Sequence, residues 1–375
     1  MAAGGAAVRR RARFHELEVA EVRPLTAESI EVTFRVPPGL ADEYAFLPGQ
    51  YVALRTQVDG RELRRSYSIC RPPRITAKGQ EGRLSIAIKR DLGGRFSTWA
   101  HASLAAGDRI EVMSPEGRFT SGLPGLDGAH LVAIAAGSGI TPVMTLAHTV
   151  LETSETARFT LIYTNRSALD VMFLEDLADL KDRFPARLAV HHVLSREQRT
   201  APLLSGRIDG AKLATMLDVL VPPAHVTEWF LCGPFELVEL CRDALAARGV
   251  PAGRIRFELF TTDAQRPEGD AGRPVIVRPD EETRRVEFTL DGVSASVESP
   301  LSANETILNA ALRVRADVPF ACAGGVCGTC RARVLEGSVQ MTENYALEPD
   351  ELERGYVLTC QSHPRTPTVK VDYDV

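Results

Sequence analysis

The 375-residue chain has no stretch approaching the roughly 18 consecutive apolar residues of a membrane helix, so a membrane-spanning role is not expected. It has no excess of basic residues either. Forty-four Lys and Arg stand against 49 Asp and Glu, a formal net charge of −5, which argues against nucleic-acid binding driven by counterion release. There is no internal repeat, and serine-hydrolase, zincin and P-loop motifs are absent, so no hydrolytic or phosphoryl-transfer chemistry competes. Residues 1–13 carry Arg9, Arg10 and Arg11 without the apolar stretch of about 7 to 15 residues that a secretory signal needs; a cytoplasmic location is the expectation. What is present is ordinary for a globular chain, 44% hydrophobic and 25% charged, with room for two or three domains. The seven cysteines are few and unevenly placed, four of them between residues 322 and 360, which fits metal ligation in a reducing compartment better than a disulfide framework.

Three patterns follow one another along the chain. Residues 14–122 read as strand after strand, including 31–36, 51–55, 84–89 and 109–113, alternating apolar with polar and bounded by turns such as Pro48-Gly49, Asp59-Gly60 and Gly107-Asp108. This predicts an antiparallel β-barrel. Residues 128–260 alternate apolar strands (130–136, 159–164, 189–194, 228–232, 254–259) with amphipathic helices, one carrying Phe173, Leu174, Leu177, Leu180 and Phe184, another Leu237, Leu240, Cys241 and Leu245. That is a doubly wound parallel-sheet α/β module. Residues 261–283 read as a linker, its Pro- and Gly-rich part lacking periodicity. Residues 284–375 then begin with two strands around Asp291-Gly292, and Asn304 is placed to cap a helix carrying Ile307, Leu308, Ala311 and Leu312. This last module is the acidic one, with 9 bases against 13 acids. The fold class is therefore multidomain, β followed by α/β followed by α+β.

Cys322, Cys327, Cys330 and the distant Cys360 have the spacing C-x4-C-x2-C…C of a plant-type [2Fe–2S] cluster. Four thiolates hold two irons while the loop wraps tightly enough to aim backbone N–H groups at the sulfurs. Gly324, Gly325 and Gly328 permit the unusual dihedrals this requires. A four-thiolate zinc site is the alternative, although zinc ribbons pair two short knuckles, whereas here the fourth cysteine stands alone. Cys70 and Cys241 read as small buried residues.

In the β module, Arg65, Tyr67 and Ser68 offer a cation, a ring and a hydroxyl on one strand, and Gly94 and Ser97 stand where a helix starts, a place suited to phosphate. Together they make a flavin diphosphate site, to which Ala87 and Lys89 of the strand 84–89 are also assigned. In the α/β module the strand 130–136 runs into Gly137-Ser138-Gly139-Ile140-Thr141-Pro142 and an apolar helix, so that Gly137, Gly139, Thr141 and Pro142 form a turn able to carry a dinucleotide pyrophosphate. The next strand ends in Asn165-Arg166-Ser167 with no acid at the usual ribose position. Arg166 and Ser167, joined by Arg196, favour a 2′-phosphate and hence NADPH over NADH. His191 and His192 lie on opposite faces of a strand and read as structural.

On these residues the chain resembles the ferredoxin–NADP reductase superfamily, in particular its members with a C-terminal plant-type ferredoxin domain of β-grasp fold. The resemblance implies that Arg65-Ser66-Tyr67-Ser68 is the flavin motif, that Gly94 and Ser97 belong to the flavin phosphate loop and that 137–142 is the nicotinamide-binding turn. It further implies that Cys232-Gly233-Pro234 lies beside the nicotinamide and that Glu258 and Phe260 end the reductase module near the flavin. FAD rather than FMN is implied. Segments 65–70, 94–100, 113–119 and, above all, Asn344-Tyr345-Ala346-Leu347-Glu348-Pro349-Asp350-Glu351 with 355–361 are most similar to reductase components of phenylacetyl-CoA epoxidase systems. The implied activity is hydride transfer from NADPH to flavin, with Cys232, Thr141 and Glu258 positioning the rings. Single electrons would then pass through the cluster to a partner oxygenase, a di-iron epoxidase, with a Rieske or steroid-ring oxygenase as the alternative partner. A different class would make the C-terminal module a zinc-bound or sensing interaction domain. Glu348, Asp350, Glu351 and Glu353 are either a docking patch for a basic partner surface or a solvated helix start.

Overall fold

The structure is a computed structural model, and it describes residues 13–58, 61–73, 81–91, 94–117, 119–259, 280–290, 292–315, 318–320, 325, 328, 330–344, 346–347 and 349–374. The first module contains β1 (Phe14–Thr26), β2 (Ser29–Val36), β3 (Tyr51–Val58), β4 (Arg61–Ser68), β5 (Gly82–Lys89), helix α1 (Arg95–Ser103) and β6 (Arg109–Met113). Its sheet runs β4-β3-β6-β1-β2-β5 with antiparallel neighbours. The two edges meet just beyond β4, where Cys70 N–H donates to the Ser85 carbonyl (2.9 Å) and Ile69 bridges to Ile86, closing the barrel and removing both edges. The period of two puts Ile30, Val32, Phe34 and Val36 inside with Val52, Leu54, Leu84, Ile86 and Ile88, and α1 adds Phe96 and Ala100. β1 escapes the alternation test because only Leu17 and Val19 of its 13 residues are buried; it is held instead by pairing with both β2 and β6.

The second module contains β7 (His130–Ala136), α2 (Ile140–Thr153), β8 (Arg158–Asn165), α3 (Leu174–Arg183), β9 (Leu188–Leu194), α4 (Gly210–Val219), β10 (Glu228–Gly233), α5 (Phe235–Ala246) and β11 (Ile255–Leu259). Its parallel sheet runs β11-β10-β7-β8-β9. Both faces are covered, which explains the unbroken apolar strands. Leu131, Ala133 and Ala135 pack with α2 and α3, while Val132 and Ile134 pack with α4 and α5. The chain leaves β7 toward β8 and later returns to its other side at β10, so a crevice opens beyond the carboxyl ends of β7 and β10, the topological switch point where such sheets bind ligands. Helix α4 follows Asp209, whose carboxylate accepts from Lys212 N–H (2.8 Å), and buries Leu213, Met216 and Leu217.

The third module contains β12 (Thr283–Leu290), β13 (Val293–Pro300), α6 (Ile307–Leu312), β14 (Arg331–Glu336), β15 (Val339–Met341), α7 (Pro349–Glu353), β16 (Tyr356–Leu358), β17 (Ser362–Pro364) and β18 (Thr368–Asp372). The main sheet runs β13-β12-β18-β14-β16, with β12 and β18 parallel, and a second small sheet pairs β15 with β17. Ile307 and Leu308 of α6 pack on Val286, Phe288, Val369 and Val371. The cap of α6 differs from the sequence expectation. Thr306 accepts from Asn309 N–H (3.2 Å), whereas Asn304 sits in the left-handed region (φ 43°) and ends the preceding turn. No described helix is long and apolar enough to cross a membrane.

The two tryptophans, Trp99 on α1 and Trp229 on β10, report on different modules. In a Trp229→Phe background, Phe34→Ala should lower barrel stability by about 3–5 kcal/mol, read from the Trp99 fluorescence transition in urea; a shift below about 1 kcal/mol would mean that Phe34 is not central to this core.

Candidate functional site

The crevice is built by two glycines. At Gly139 a side-chain Cβ would lie 2.2 Å from the Cys232 carbonyl oxygen, and at Gly233 one would lie 2.9 Å from Ala136 Cβ. Only bare backbone lets the turn after β7 rest on the end of β10. Tyr163 O–H donates to the Gly137 carbonyl (2.8 Å), and the buried Thr141 hydroxyl donates to the Ser138 carbonyl (3.0 Å), which pins the turn from both sides. Pro142 occupies the first turn of α2, where no N–H is required.

Cys232 is fully buried and stands opposite Glu258 in the register of β10 and β11. Burial first, and the Glu258 charge second, push its thiol pKa up, so the group is a neutral thiol at pH 7 and not a thiolate nucleophile. Ser68, at the end of β4 in the barrel, donates its hydroxyl to Glu258 at 3.5 Å. The structure thus brings Cys232, Glu258, Gly139 and Ser68 to one seam between the first two modules. Pro234 follows as the residue before α5.

On the barrel side of the seam, Arg65 and Tyr67 share one face of β4 and pair across β3 with Leu54 and Val52. The Tyr67 ring packs on Phe96 with centroids 5.7 Å apart, and burial raises its phenol pKa. Gly94 precedes α1, and a Cβ there would meet Ser97 Oγ at 2.7 Å; Ser97 Oγ itself accepts from Asp91 N–H (3.1 Å) and donates to the Gly94 carbonyl (3.3 Å). Ala87 is buried in a cluster that also contains Cys232 and α2 residues. Lys89, reaching from β5, puts Nζ within 3.3 Å of the position a Gly137 Cβ would take. Burial, then Arg166, lowers its pKa, and no carboxylate contacts its ammonium among the described residues.

At the end of β8, the polar atoms of the buried Asn165 carboxamide have no hydrogen-bond partner among the described residues. Arg166 and Ser167, read as a 2′-phosphate pair, share an acid that the sequence reading missed. Asp170 accepts from Arg166 Nη2 (2.5 Å), from Ser167 Oγ (2.6 Å) and from Ser167 N–H (3.1 Å). The Ser167-x-x-Asp170 capping box was the available signal. Arg196 lies alongside, its N–H bonded to the Arg166 carbonyl (2.8 Å), and is exposed.

In the third module, Cys330 and Cys360 are buried and close together in the fold. Thr359 donates to the Cys330 carbonyl through both N–H (3.1 Å) and Oγ1 (2.8 Å), and Tyr373 O–H reaches Thr359 Oγ1 (3.0 Å). Gly325 and Gly328 adopt φ of 79° and 70°, the left-handed turns expected of a loop wrapping a cluster. Cys322, Cys327, Gly324 and Phe260 lie outside the described residues. The acidic run is not one patch. Glu351 is buried against Arg331, Asp350 pairs with Arg354 (2.9 Å), Glu353 is exposed, and Glu348 lies outside the described residues. Glu351 therefore serves the module's interior and is unavailable for docking.

The chemistry of these residues fits the groups implied: a bare turn with an uncompensated ammonium suits a pyrophosphate, and two buried cysteines linked by a hydroxyl ladder suit a cluster. Comparisons with known proteins agree. Residues 16–121 match the oxidoreductase FAD-binding domain family, 133–243 the oxidoreductase NAD-binding domain family and 288–365 the 2Fe-2S iron-sulfur cluster binding domain family. The chain is 42% identical over 366 residues to a 1,2-phenylacetyl-CoA epoxidase component of Escherichia coli, covering 96% of this chain and 98% of that one. It is 33% identical to the ferredoxin reductase component of 3-ketosteroid-9-alpha-monooxygenase of Rhodococcus rhodochrous, covering 95% and 96%. Among solved structures, phthalate dioxygenase reductase shares the fold with a TM-score of 0.53 at 23% identity, over 96% of this chain and 98% of that one.

Gly139→Ala should force the turn off Cys232 and raise the KM for the nicotinamide nucleotide by about tenfold or more while the flavin content stays at the wild-type level. Steady-state kinetics with ferricyanide checks this; an unchanged KM would show that the close approach is not needed.

Proposed function

This chain belongs to the NAD(P)H–FAD–[2Fe–2S] oxygenase reductases of the ferredoxin–NADP reductase type, and from that premise we propose that its partner is a di-iron epoxidase acting on phenylacetyl-CoA and that its reductant is NADPH. The observation that carries the partner assignment is the near full-length likeness to the phenylacetyl-CoA epoxidase component, greater than that to the ketosteroid monooxygenase component. When bound, the flavin takes up a hydride as two electrons and the cluster carries one electron at a time.

The chain's own residues supply orientation. The turn of Gly137, Gly139, Thr141 and Pro142 holds the pyrophosphate, with Lys89 as counter-charge from the other module. Cys232, flanked by Gly233 and Pro234, offers a small neutral side chain for the nicotinamide ring to rest against, one that would not add to the oxidised ring as a thiolate would. Glu258, bonded to Ser68, sits across from it and supports the changing charge at the flavin edge; Phe260 belongs to the same reading. Arg65, Tyr67, Ser68, Ala87, Gly94 and Ser97 hold the flavin and its diphosphate. Cys322, Cys327, Cys330 and Cys360 ligate the cluster, with the ladder from Tyr373 through Thr359 bracing the last two. The modules are assigned as 14–122, 128–260 and 284–375, with 261–283 as linker, and the reducing cytoplasm as their setting.

Partner assignment is tested by reconstitution. With NADPH, the chain should support turnover of the purified oxygenase part of phenylacetyl-CoA epoxidase and give little product with a ketosteroid 9α-oxygenase; the reverse preference would favour the steroid-ring reading. The coenzyme assignment turns on Asp170, which neutralises the groups meant for the 2′-phosphate. Asp170→Asn should lower the KM for NADPH by roughly three- to tenfold and leave that for NADH within about twofold. A rise for NADH, with no fall for NADPH, would mean that Asp170 grips a ribose diol instead.

A further inference from the structure

Four charged side chains form a closed ring across the boundary between the first two modules. Arg71 lies just beyond the flavin segment 65–70. It donates Nε and Nη2 to the two oxygens of Glu31 on β2 (2.5 and 2.8 Å) and Nη1 to Asp176 in the first turn of α3 (2.5 Å). Arg23 on β1 closes the ring, donating to Glu31 (2.7 Å) and to Asp176 (3.1 Å). Glu31 is 4% exposed and sits against Cys70 Sγ at 3.8 Å. Burial opposes ionisation of both acids, and the two arginines overcome it, so Glu31 and Asp176 are held below the usual carboxylate range.

Such a ring is a poor way to obtain stability alone, because buried ion pairs recover little beyond their desolvation cost; what they add is direction. Adhesion is already provided by apolar contact, since Cys70, Ala87 and Phe119 of the barrel side share a core cluster with α2 and β10. The ring also lies where the backbone is strained. Phe173, the residue before α3, is buried with φ 58°, rare for a side chain of this size, and the Arg71 guanidinium stacks over its ring at 5.4 Å. The same stretch is gripped twice more by the second module: Ile69 carbonyl accepts from the buried Thr145 hydroxyl (2.5 Å), and Ser68 donates to Glu258. Between Ser68 and Arg71, the strand end that carries the flavin motif is thus tied at three residues to β11, α2 and α3 of the second module, α2 being the helix that follows the nicotinamide turn.

We propose that Asp176 and Arg71 are positioning residues for hydride transfer: their ring sets the separation of the flavin segment from the glycine turn, and with it the rate of transfer, without contributing to the binding of either group. The inference rests on the function proposed above and adds a residue pair outside the flavin motif and the nicotinamide turn.

The test is anaerobic stopped-flow reduction of the holoenzyme by NADPH. Asp176→Asn, which keeps shape and removes charge, should slow flavin reduction about tenfold or more, since displacements near 1 Å are that costly. It should weaken the long-wavelength charge-transfer absorbance that precedes bleaching, leave the NADPH Kd within about twofold, and leave flavin content unchanged. Asp176→Glu should restore part of the rate. Glu228→Gln is the control for stability: Glu228 holds Ser121 Oγ (2.6 Å) and Gly122 N–H (3.0 Å), and its variant should lower the melting temperature without slowing reduction. If Asp176→Asn does not fold, Arg23→Gln at the exposed rim of the ring gives the same readout with a smaller change. Wild-type rate and absorbance in a folded variant of either kind overturn the proposal. Failure of the wild-type protein to be reduced by NADPH or NADH overturns the proposed function instead.

Discussion

The contact on which the rest of the site depends is that of Gly139 with the Cys232 carbonyl. No side chain fits between the turn after β7 and the end of β10, so the two strands flanking the switch point meet backbone to backbone. Around that point the sheet order, the Tyr163 hydroxyl and the start of α2 all converge. The barrel then approaches from the other side with Ser68 and Lys89. A reductase of this kind needs a nucleotide turn held open beside its flavin-binding module, and the open turn follows from this one tight contact in the parallel sheet.

Charge does a second job at the same seam. The Cys232 thiol is neutral and the Asp170 carboxylate is shared by Arg166 and Ser167, which leaves the Lys89 ammonium with no contacting carboxylate among the described residues. A second collection of charge, Arg23, Glu31, Arg71 and Asp176, bridges the barrel and α3.

Much of this was legible in the sequence, because the relevant signals are local. The cysteine spacing, the Gly137-Ser138-Gly139 turn between an apolar strand and an apolar helix, and the unbroken strands 130–136 and 159–164 each need only a short window. What escaped depends on partners far apart in the chain. β1 carries too little alternation and is defined by two neighbouring strands. Arg71 and Asp176 are separated by 105 residues, and no pattern links them. Asn304 had the composition of a cap, but the left-handed backbone at that residue passed the role to Thr306. Glu351 looked like part of an exposed acidic run until the fold turned it onto Arg331. Asp170 was readable as a capping box, but it stands past the strand end at which a ribose-binding acid is expected.

The central claim is that two electrons enter as hydride in the seam between the first two modules and leave singly through the third. It is tested most directly by anaerobic titration of the purified protein with NADPH, following the visible spectrum and the electron paramagnetic resonance signal alongside iron, sulfide and flavin analysis. The account predicts about two irons and two sulfides per flavin, and bleaching of the flavin accompanied by a reduced-cluster signal approaching one spin per chain. A flavin that bleaches beside a zinc-loaded, spin-silent C-terminal module would contradict it.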